Sequence, residues 1–395
     1  MKSSYTFSRR TRRMRASVIR EILKVSSKPG IISFAGGLPA PATFPLKKFE
    51  QAMVEALRQD GTKALQYMVT EGLQPLKQYL CDWLKNQGIV GTPDQMLLTH
   101  GSQQALELLG KILINPGDSI LVEDPTYLGA IQSFNTFECK YVTVPMDKSG
   151  MRPEELERAL RRHPHIRFIY VVPTFQNPAG TTMTLERRRA LIKAAQKRGI
   201  PILEDDPYGL LRFKGSPVPS IYELAKGKGV VYMSTFSKLL SPGIRLGFVL
   251  AEKTVINQLV LAKQPTDLQT NSLIQYAVYH YCRHGYLDQH LPVIIKDYAH
   301  KAERMIDALR EHFPPEVSFV EPEGGMFVWC TLPKHIKASA LFKKAIRKGV
   351  AFVDGSVFFA NGGGENTMRL NFTNSTDQTI QTGIKKLGDV IRTFL

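Results

Sequence analysis

Short apolar runs alternate with amphipathic helical stretches between about residues 47 and 290. The apolar runs, each bounded by turn residues, are 119–123, 166–173, 201–205, 230–234 and 244–251. Such runs are typical of strands that are buried on both faces. Between them, the stretch 184–198 places its leucines, Ile192 and Ala195 on one helical face and its arginines and lysines on the other. This alternation predicts an α/β domain with a mostly parallel sheet.

The pattern changes after about residue 290. A long helix is predicted over 293–312, ending before two consecutive prolines. Short strand patterns follow at 317–320, 325–332, 351–354 and 368–372, with helix patterns near 338–348 and 378–392. The sequence therefore predicts an N-terminal arm with a helix at 1–46, a large α/β domain at 47–290 and a small α+β domain at 291–395.

Composition narrows the class of protein. The chain has 395 residues, of which 43% are hydrophobic and 22% are charged, which indicates a folded globular protein and excludes wholesale disorder. No stretch approaches the ~20 apolar residues of a membrane span, so we expect no membrane partner. The four cysteines are far apart and form no CxxC pair, which favours reduced core thiols, a cytoplasmic location and no metal site.

The charge is the unusual feature, with 52 Lys plus Arg against 35 Asp plus Glu. Residues 1–24 hold eight basic residues and one acidic residue. From the residues alone, this segment is compatible with an organelle transit peptide, a phosphate-seeking tail or an exposed arm. The remaining basic excess is spread along the chain, which does not favour nucleic acid as a partner.

Polar residues follow the apolar runs at their carboxyl ends. Asn177 follows the run 166–173, Asp205 ends the run 201–205 and is followed by Tyr208, and Lys238 follows the run 230–234. Open α/β sheets bind ligands at this edge. Upstream, Ser102 precedes a predicted helix at 103–114, whose first N–H groups suit an anion. These positions together favour a ligand that bears a phosphate.

Lys238 is the strongest candidate for chemistry. It has apolar neighbours on one side and Arg245 seven residues further on. We expect this environment to disfavour the ammonium form and to favour a nucleophile or a Schiff-base lysine. A pyridoxal phosphate site needs such a lysine, a carboxylate for the ring nitrogen and donors for the phosphate, and this edge supplies all three.

The same segments resemble fold-type I pyridoxal phosphate-dependent aminotransferases of classes I and II. The resemblance rests on 101–104 (GSQQ), 177–180 (NPAG), 205–208 (DDPY) and 234–247 (STFSKLLSPGIRLG), and it runs from about residue 12 to the C-terminus. Within it, 16–23 (ASVIREIL), 34–41 (FAGGLPAP) and 358–366 (FFANGGGEN) are similar to the 2-aminoadipate and kynurenine aminotransferase subgroup. The resemblance implies the fold of that family, a large mostly parallel sheet domain with a smaller α+β domain and an arm.

The resemblance also implies roles toward the cofactor. It makes Lys238 the lysine that bonds to pyridoxal 5'-phosphate and moves the proton, and it makes Asp205 the partner of the ring nitrogen. The other residues that it assigns to the ring are Tyr208, Asn177 and Tyr127. Those that it assigns to the phosphate are Ser102, Gln103, Thr235, Ser237 and Arg245, together with Tyr67 from the second subunit of a homodimer.

For the substrate, the resemblance assigns the α-carboxylate to Arg369, Asn177 and the Gly37 backbone. It also assigns the distal carboxylate of an acidic substrate to Arg20, and the competing interpretation of the stretch around Arg20 is an amphipathic docking helix. It implies transfer of an amino group from an L-amino acid to a 2-oxo acid, 2-oxoglutarate in the first place, with ping-pong kinetics.

Several alternatives stay open at this point. The same site would serve an aromatic or branched-chain amino acid aminotransferase, and the same scaffold also supports β-elimination or decarboxylation. A third alternative is a transcription regulator that carries an aminotransferase-like domain behind a DNA-binding domain. The segment 34–37 lies only some thirty residues into the chain, which leaves no room for such a domain, so we expect an enzyme.

Overall fold

The computed structural model describes residues 5–14 and 29–395. Within them, the α-helices are α1 (Leu46–Ala64), α2 (Gln74–Lys85), α3 (Ser102–Leu113), α4 (Leu128–Asn135), α5 (Pro153–Arg162), α6 (Leu185–Gln196), α7 (Ile221–Leu224), α8 (Lys253–Asp267), α9 (Ser272–Arg283), α10 (Tyr286–His312), α11 (Ala338–Arg347) and α12 (Asp377–Arg392). The strands are β1 (Ile32–Ser33), β2 (Met96–Thr99), β3 (Ser119–Asp124), β4 (Lys140–Asp147), β5 (Gly150–Met151), β6 (Ile166–Val171), β7 (Ile202–Asp205), β8 (Val230–Thr235), β9 (Gly247–Leu250), β10 (Ser318–Phe319), β11 (Phe327–Thr331), β12 (Val350–Ala351), β13 (Val353–Asp354) and β14 (Thr367–Asn371).

An eight-stranded sheet forms the centre of the fold, in the order β2-β9-β8-β7-β6-β3-β4-β5. In sheet order, β4, β3, β6, β7 and β8 are parallel to one another, whereas β5 is antiparallel to β4 and β9 is antiparallel to both β8 and β2. Every residue of β7, β8 and β9 is buried, because helices cover both faces of the sheet. The predicted α/β class with a mostly parallel sheet is confirmed.

Two details of the predicted large domain are wrong. Arg188 was assigned to the exposed face of its helix, but it is only 1% exposed in α6. Its guanidinium is satisfied there, because it donates to the carbonyls of Met183, Pro173 and Pro219 at 3.0 Å and to the Thr174 hydroxyl at 2.8 Å.

The second wrong detail is the strand predicted from residue 244, which begins only at Gly247. A short 3-10 turn occupies Pro242–Ile244, and Arg245 has a φ of +50°. This left-handed backbone interrupts the extended pattern and directs the Arg245 side chain toward the edge of the sheet.

The C-terminal elements form a second, antiparallel sheet of order β10-β11-β14-β13. The predicted long helix is α10, which begins at Tyr286 rather than at residue 293. The pattern predicted as one strand at 351–354 is divided between β12 and β13, and the other short patterns are confirmed within a few residues. Arg369 lies in the middle of β14, where it pairs with Trp329 of β11 and Val353 of β13. A separate two-stranded pair joins β1 to β12 in parallel. This pairing brings the residues that follow β1, including Ala35 and Gly37, close to Arg369.

No helix in the described ranges is long and apolar enough to cross a membrane.

Candidate active site

A cleft of about 300 Å³ opens at the carboxyl ends of β6, β7 and β8. Twelve of the residues singled out from the sequence line it: Gly37, Ser102, Gln103, Tyr127, Asn177, Asp205, Tyr208, Thr235, Ser237, Lys238, Arg245 and Arg369. They come from seven separate regions of the chain, and the parallel strands bring most of them to one edge.

Lys238 follows the end of β8 and reaches across the cleft. Its Nζ donates a hydrogen bond of 2.7 Å to the carbonyl oxygen of Gly37. Burial, together with the nearby cations Arg369 and Arg245, lowers the pKa of Lys238 to about 8. About a tenth of the amine is therefore neutral at pH 7, far more than for an ordinary lysine, so this amine can act as a nucleophile or a base.

Asp205 ends β7 and is 1% exposed. Its Oδ2 accepts a hydrogen bond of 2.9 Å from the Tyr170 hydroxyl, whereas its Oδ1 is buried without a partner among the described residues. Burial raises the pKa of Asp205 to about 7, although the Tyr170 hydrogen bond opposes the rise. A buried carboxylate oxygen without a hydrogen-bond partner costs free energy unless a ligand donates to it. The protonated ring nitrogen of pyridoxal phosphate would be such a donor.

The side of the cleft next to α3 suits an anion. The first turn of α3 begins at Ser102, after Gly101 with a φ of +73°, and its leading N–H groups have no intrahelical partners. Arg245 reaches this turn, because its guanidinium donates to the Ser237 hydroxyl and to the His100 carbonyl, each at 3.3 Å. A Cβ on Gly101 would lie 3.0 Å from the Arg245 guanidinium, so glycine keeps this space open. With the Thr235 hydroxyl 3.0 Å from that of Ser237, the donor set fits a phosphate group.

Arg369 forms the opposite side of the cleft and is 1% exposed. Its Nη1 donates to Asn177 Oδ1 at 2.7 Å and its Nη2 donates to the Ala35 carbonyl at 3.0 Å. The guanidinium lies between the rings of Phe327 and Phe358, at 4.1 and 5.0 Å from their centroids. Burial lowers the pKa of Arg369 to about 10, so the side chain remains a cation at neutral pH. Its buried Nε has no partner in the described part of the chain, which leaves a donor for a carboxylate.

Asn177 connects the two sides. Its amide nitrogen donates to the Tyr208 hydroxyl at 3.2 Å while its oxygen accepts from Arg369. The neighbouring Gln176 holds the loop in place, because its amide donates to the Pro125 carbonyl at 2.8 Å and to Glu123 at 3.2 Å. The two loops that present Tyr127 and Asn177 are therefore joined beneath the cleft.

Of the predicted site residues that the structure describes, Tyr67 is not in the cleft. Tyr67 is 78% exposed and lines a separate surface depression with residues such as Met68, Val69 and Tyr276. Arg20 lies outside the described residues.

Several residues of the cleft were not found from the sequence. Val172, Pro207, Pro242 and Phe327 also line it, and Tyr170 bonds to Asp205 from below. The sequence did contain a signal for Tyr170, because this residue places a hydroxyl among the apolar residues 168–173, on the strand predicted to precede that of Asp205. Phe327 gave none, since an aromatic residue in a short strand is indistinguishable from ordinary core.

Within residues 5–14 and 29–395, no group of three or more His, Cys, Asp and Glu side chains is arranged to hold a metal ion.

The chain is similar to known proteins in both sequence and structure. A sequence profile of the family described as "Aminotransferase class I and II" matches residues 35–387. The aromatic-amino-acid aminotransferase 1 of Thermococcus litoralis is 44% identical over 391 residues, which cover 98% of this chain and 94% of that protein. The 2-aminoadipate transaminase of Thermus thermophilus is 42% identical, with 99% and 98% covered. The crystal structure of Pyrococcus horikoshii kynurenine aminotransferase in complex with PMP superimposes with a TM-score of 0.95 at 43% identity, covering 98% of this chain and 97% of that one.

Proposed function

The chain belongs to the class I and II aminotransferases, and from that premise we propose that the cleft around Lys238 is the active site of this pyridoxal phosphate-dependent enzyme. In it, an amino group passes from an L-amino acid to a 2-oxo acid. The observation that supports the proposal most strongly is that three buried or half-buried groups meet there: the Lys238 amine, Asp205 Oδ1 and Arg369 Nε. Each matches one feature of the cofactor or of an amino acid.

The cofactor is proposed to lie between β7, β8 and the start of α3. Lys238 would hold it covalently, Asp205 would face the ring nitrogen, and Tyr208 and Asn177 would bind the ring oxygen. The donors around Arg245 and Ser237 would bind the phosphate. When bound, pyridoxal phosphate supplies an electron sink that makes the Cα proton of an amino acid acidic. Lys238 Nζ takes that proton and returns it, and its lowered pKa suits both directions near neutral pH.

The α-carboxylate of the substrate is proposed to bind Arg369. The planar fork of an arginine can bind both carboxylate oxygens, whereas a lysine offers a point charge. Asn177 and the flanking Phe327 ring hold the guanidinium in one orientation. The Gly37 backbone would also bind the α-carboxylate, from the other side of the Lys238 amine.

The side chain of the amino acid donor determines the remaining part of the substrate specificity. The cations lining the described cleft, Lys238, Arg245 and Arg369, each have a task in the proposal. A distal carboxylate therefore needs a further cation, and Arg20 is our candidate for 2-aminoadipate or glutamate. Aromatic or branched-chain donors are the second candidate, because Tyr127 and Phe327 give the cleft aromatic walls. We propose 2-oxoglutarate as the acceptor.

A homodimer is proposed in which Tyr67 of one subunit completes the phosphate site of the other. The supporting observation is exposure, since Tyr67, Leu65 and Val69 are each at least 63% exposed beside one another in the chain. Mixing subunits tests this. A hybrid of a Lys238→Ala subunit with a Tyr67→Ala subunit regains one complete site if Tyr67 acts across the interface, whereas activity stays at the level of the Tyr67→Ala enzyme if Tyr67 acts within its own subunit.

We also propose the division into an arm at 1–46, a large domain at 47–290 and a small domain at 291–395. All four cysteines are buried and unpaired, which supports a reducing, cytoplasmic compartment.

A donor panel tests the proposed substrate range. With 2-oxoglutarate as acceptor, initial rates would be compared for 2-aminoadipate, glutamate, leucine, phenylalanine and kynurenine, in the wild-type enzyme and in Arg20→Ala. We expect the variant to lose activity on the two acidic donors and to keep it on the other three. An unchanged acidic-to-apolar ratio would remove Arg20 from the proposal, and activity on none of the donors would contradict the proposed range.

A further inference from the structure

Tyr170 is a buried tyrosine whose hydroxyl contacts the carboxylate beneath the cleft. It lies in β6, is 0% exposed and donates to Asp205 Oδ2 at 2.9 Å. Tyr170 pairs with Leu203 across the parallel strands β6 and β7. Because side chains two residues apart on a strand share a face, Asp205 lies on the same face as Leu203 and one step further along. The contact is therefore set by the register of the sheet.

Neighbouring rings fix the Tyr170 ring from one side. The ring of Phe134 in α4 meets it edge to face, with centroids 5.7 Å apart and an interplanar angle of 78°. Phe134 packs in the same way on Phe168, at 5.3 Å. A ring held in this way keeps its hydroxyl at one point.

The two oxygens of Asp205 consequently have different environments. Oδ2 accepts a hydrogen bond from the hydroxyl of Tyr170, whereas Oδ1 has no partner within the described ranges, and Asp205 lines the cleft. We propose that Tyr170 is a positioning residue, which orients the Asp205 carboxylate with Oδ1 toward the cofactor ring nitrogen and keeps the shared proton on that nitrogen. This inference rests on the proposed function, because it requires Asp205 to face the ring.

The physical reason is the preference of a hydrogen-bond donor for the charged form of a carboxylate. One proton is shared between Asp205 Oδ1 and the ring nitrogen. With Tyr170 donating to Oδ2, the carboxylate is the weaker base and the nitrogen keeps the proton. Without that donor, the proton moves toward Asp205 and the ring withdraws electrons less strongly. Removal of the Cα proton then slows, while carboxylate binding at Arg369 is unaffected.

The chain contains a matched control. Tyr232 in β8 is also buried, at 3% exposure, and donates to Asp206 Oδ2 at 3.0 Å. Asp206 is the neighbour of Asp205, but it borders a different cavity, lined by residues such as Trp83 and Leu239. Tyr232→Phe therefore removes the same kind of bond without touching the cleft.

The experiment compares Tyr170→Phe, Tyr232→Phe and Asp205→Asn as holoenzymes reconstituted with cofactor labelled with ¹⁵N in the ring. The readouts are the ¹⁵N chemical shift, kcat and KM for one donor, and the thermal midpoint. For Tyr170→Phe we expect the ¹⁵N shift to move toward that of a neutral pyridine, kcat to fall about 10-fold and KM to stay within about 2-fold. Tyr232→Phe should lower the thermal midpoint by a similar amount while leaving the ¹⁵N shift and kcat unchanged.

The outcomes separate the inference from the proposed function. A wild-type ¹⁵N shift and kcat in Tyr170→Phe, with both lost in Asp205→Asn, would overturn the role of Tyr170 alone. Equal effects in Tyr170→Phe and Tyr232→Phe would also overturn it, since they would show a general loss of stability. A wild-type shift in Asp205→Asn would instead contradict the proposed position of the ring.

Discussion

Replacing Arg369 with lysine tests how the enzyme recognises its substrate. Lysine keeps the positive charge, but it loses the fork that donates to Asn177 and Ala35 and that lies between Phe327 and Phe358. A hydrogen bond to a charged partner contributes about 1.5–3 kcal/mol, so losing one of two carboxylate contacts and the fixed orientation should cost about 3 kcal/mol. This corresponds to a fall in kcat/KM of about 150-fold. Because the carboxylate is bound equally in the ground and transition states, most of the loss should appear in KM.

The assay is the single-turnover reaction of the holoenzyme with an amino acid, compared with the amine that lacks the α-carboxylate. At donor concentrations far below KM, where the rate reports kcat/KM, Arg369→Lys should slow the reaction of the amino acid by about 150-fold and that of the amine by no more than about 3-fold. Urea unfolding of both proteins controls for lost stability. Equal losses for the amino acid and the amine would refute the reasoning, since Arg369 would then support the architecture of the cleft rather than the carboxylate.

Three further predictions concern single residues. Lys238→Met should raise the unfolding free energy of the cofactor-free protein by about 2 kcal/mol below pH 8, net of the lost hydrogen bond to Gly37. The gain should fade between pH 8 and 10.5, because over that range the unfolded chain still binds the proton that folded Lys238 has released. A gain that is independent of pH in chemical denaturation would contradict this prediction. Arg245→Gln should weaken pyridoxal phosphate binding by about 30-fold in a titration of the cofactor-free protein, while binding of pyridoxal, which has no phosphate, should stay the same. Gly101→Ala should weaken cofactor binding, because its Cβ would lie 3.0 Å from the Arg245 guanidinium at a backbone φ of +73°. The control Gly199→Ala has a φ of +63° with open space around it, so it should lower the stability of the protein without weakening cofactor binding.

The parallel part of the fold and its edge could be predicted from the sequence. Apolar runs fix where buried strands lie, and chain direction then determines that the residues after them, such as Asn177, Asp205 and Lys238, meet at one edge. The rule needs only local patterns. It is sufficient to predict that these residues of the large sheet meet in one cleft.

The remainder depended on contacts between distant segments. Arg369 enters the cleft from an antiparallel sheet and bonds to Ala35, 334 residues earlier in the chain, so no local pattern places it; its position came from the family resemblance. Arg188 was assigned to the surface because arginines usually lie there, and the carbonyls that satisfy it come from loops on either side of α6. The strand predicted from residue 244 begins only at Gly247, because the left-handed backbone of Arg245 interrupts the extended pattern and places its side chain on the anion side of the cleft.

The central claim is that Lys238 binds pyridoxal phosphate and that this cofactor carries an amino group from an amino acid to a 2-oxo acid. The direct measurement is the visible absorption spectrum of the reconstituted enzyme before and after an amino acid donor is added without any acceptor. We predict a visible band that the donor bleaches and that a 2-oxo acid restores, with no such band in Lys238→Ala. A folded wild-type protein that stays colourless with excess cofactor, or a band that no amino acid bleaches, would contradict the claim.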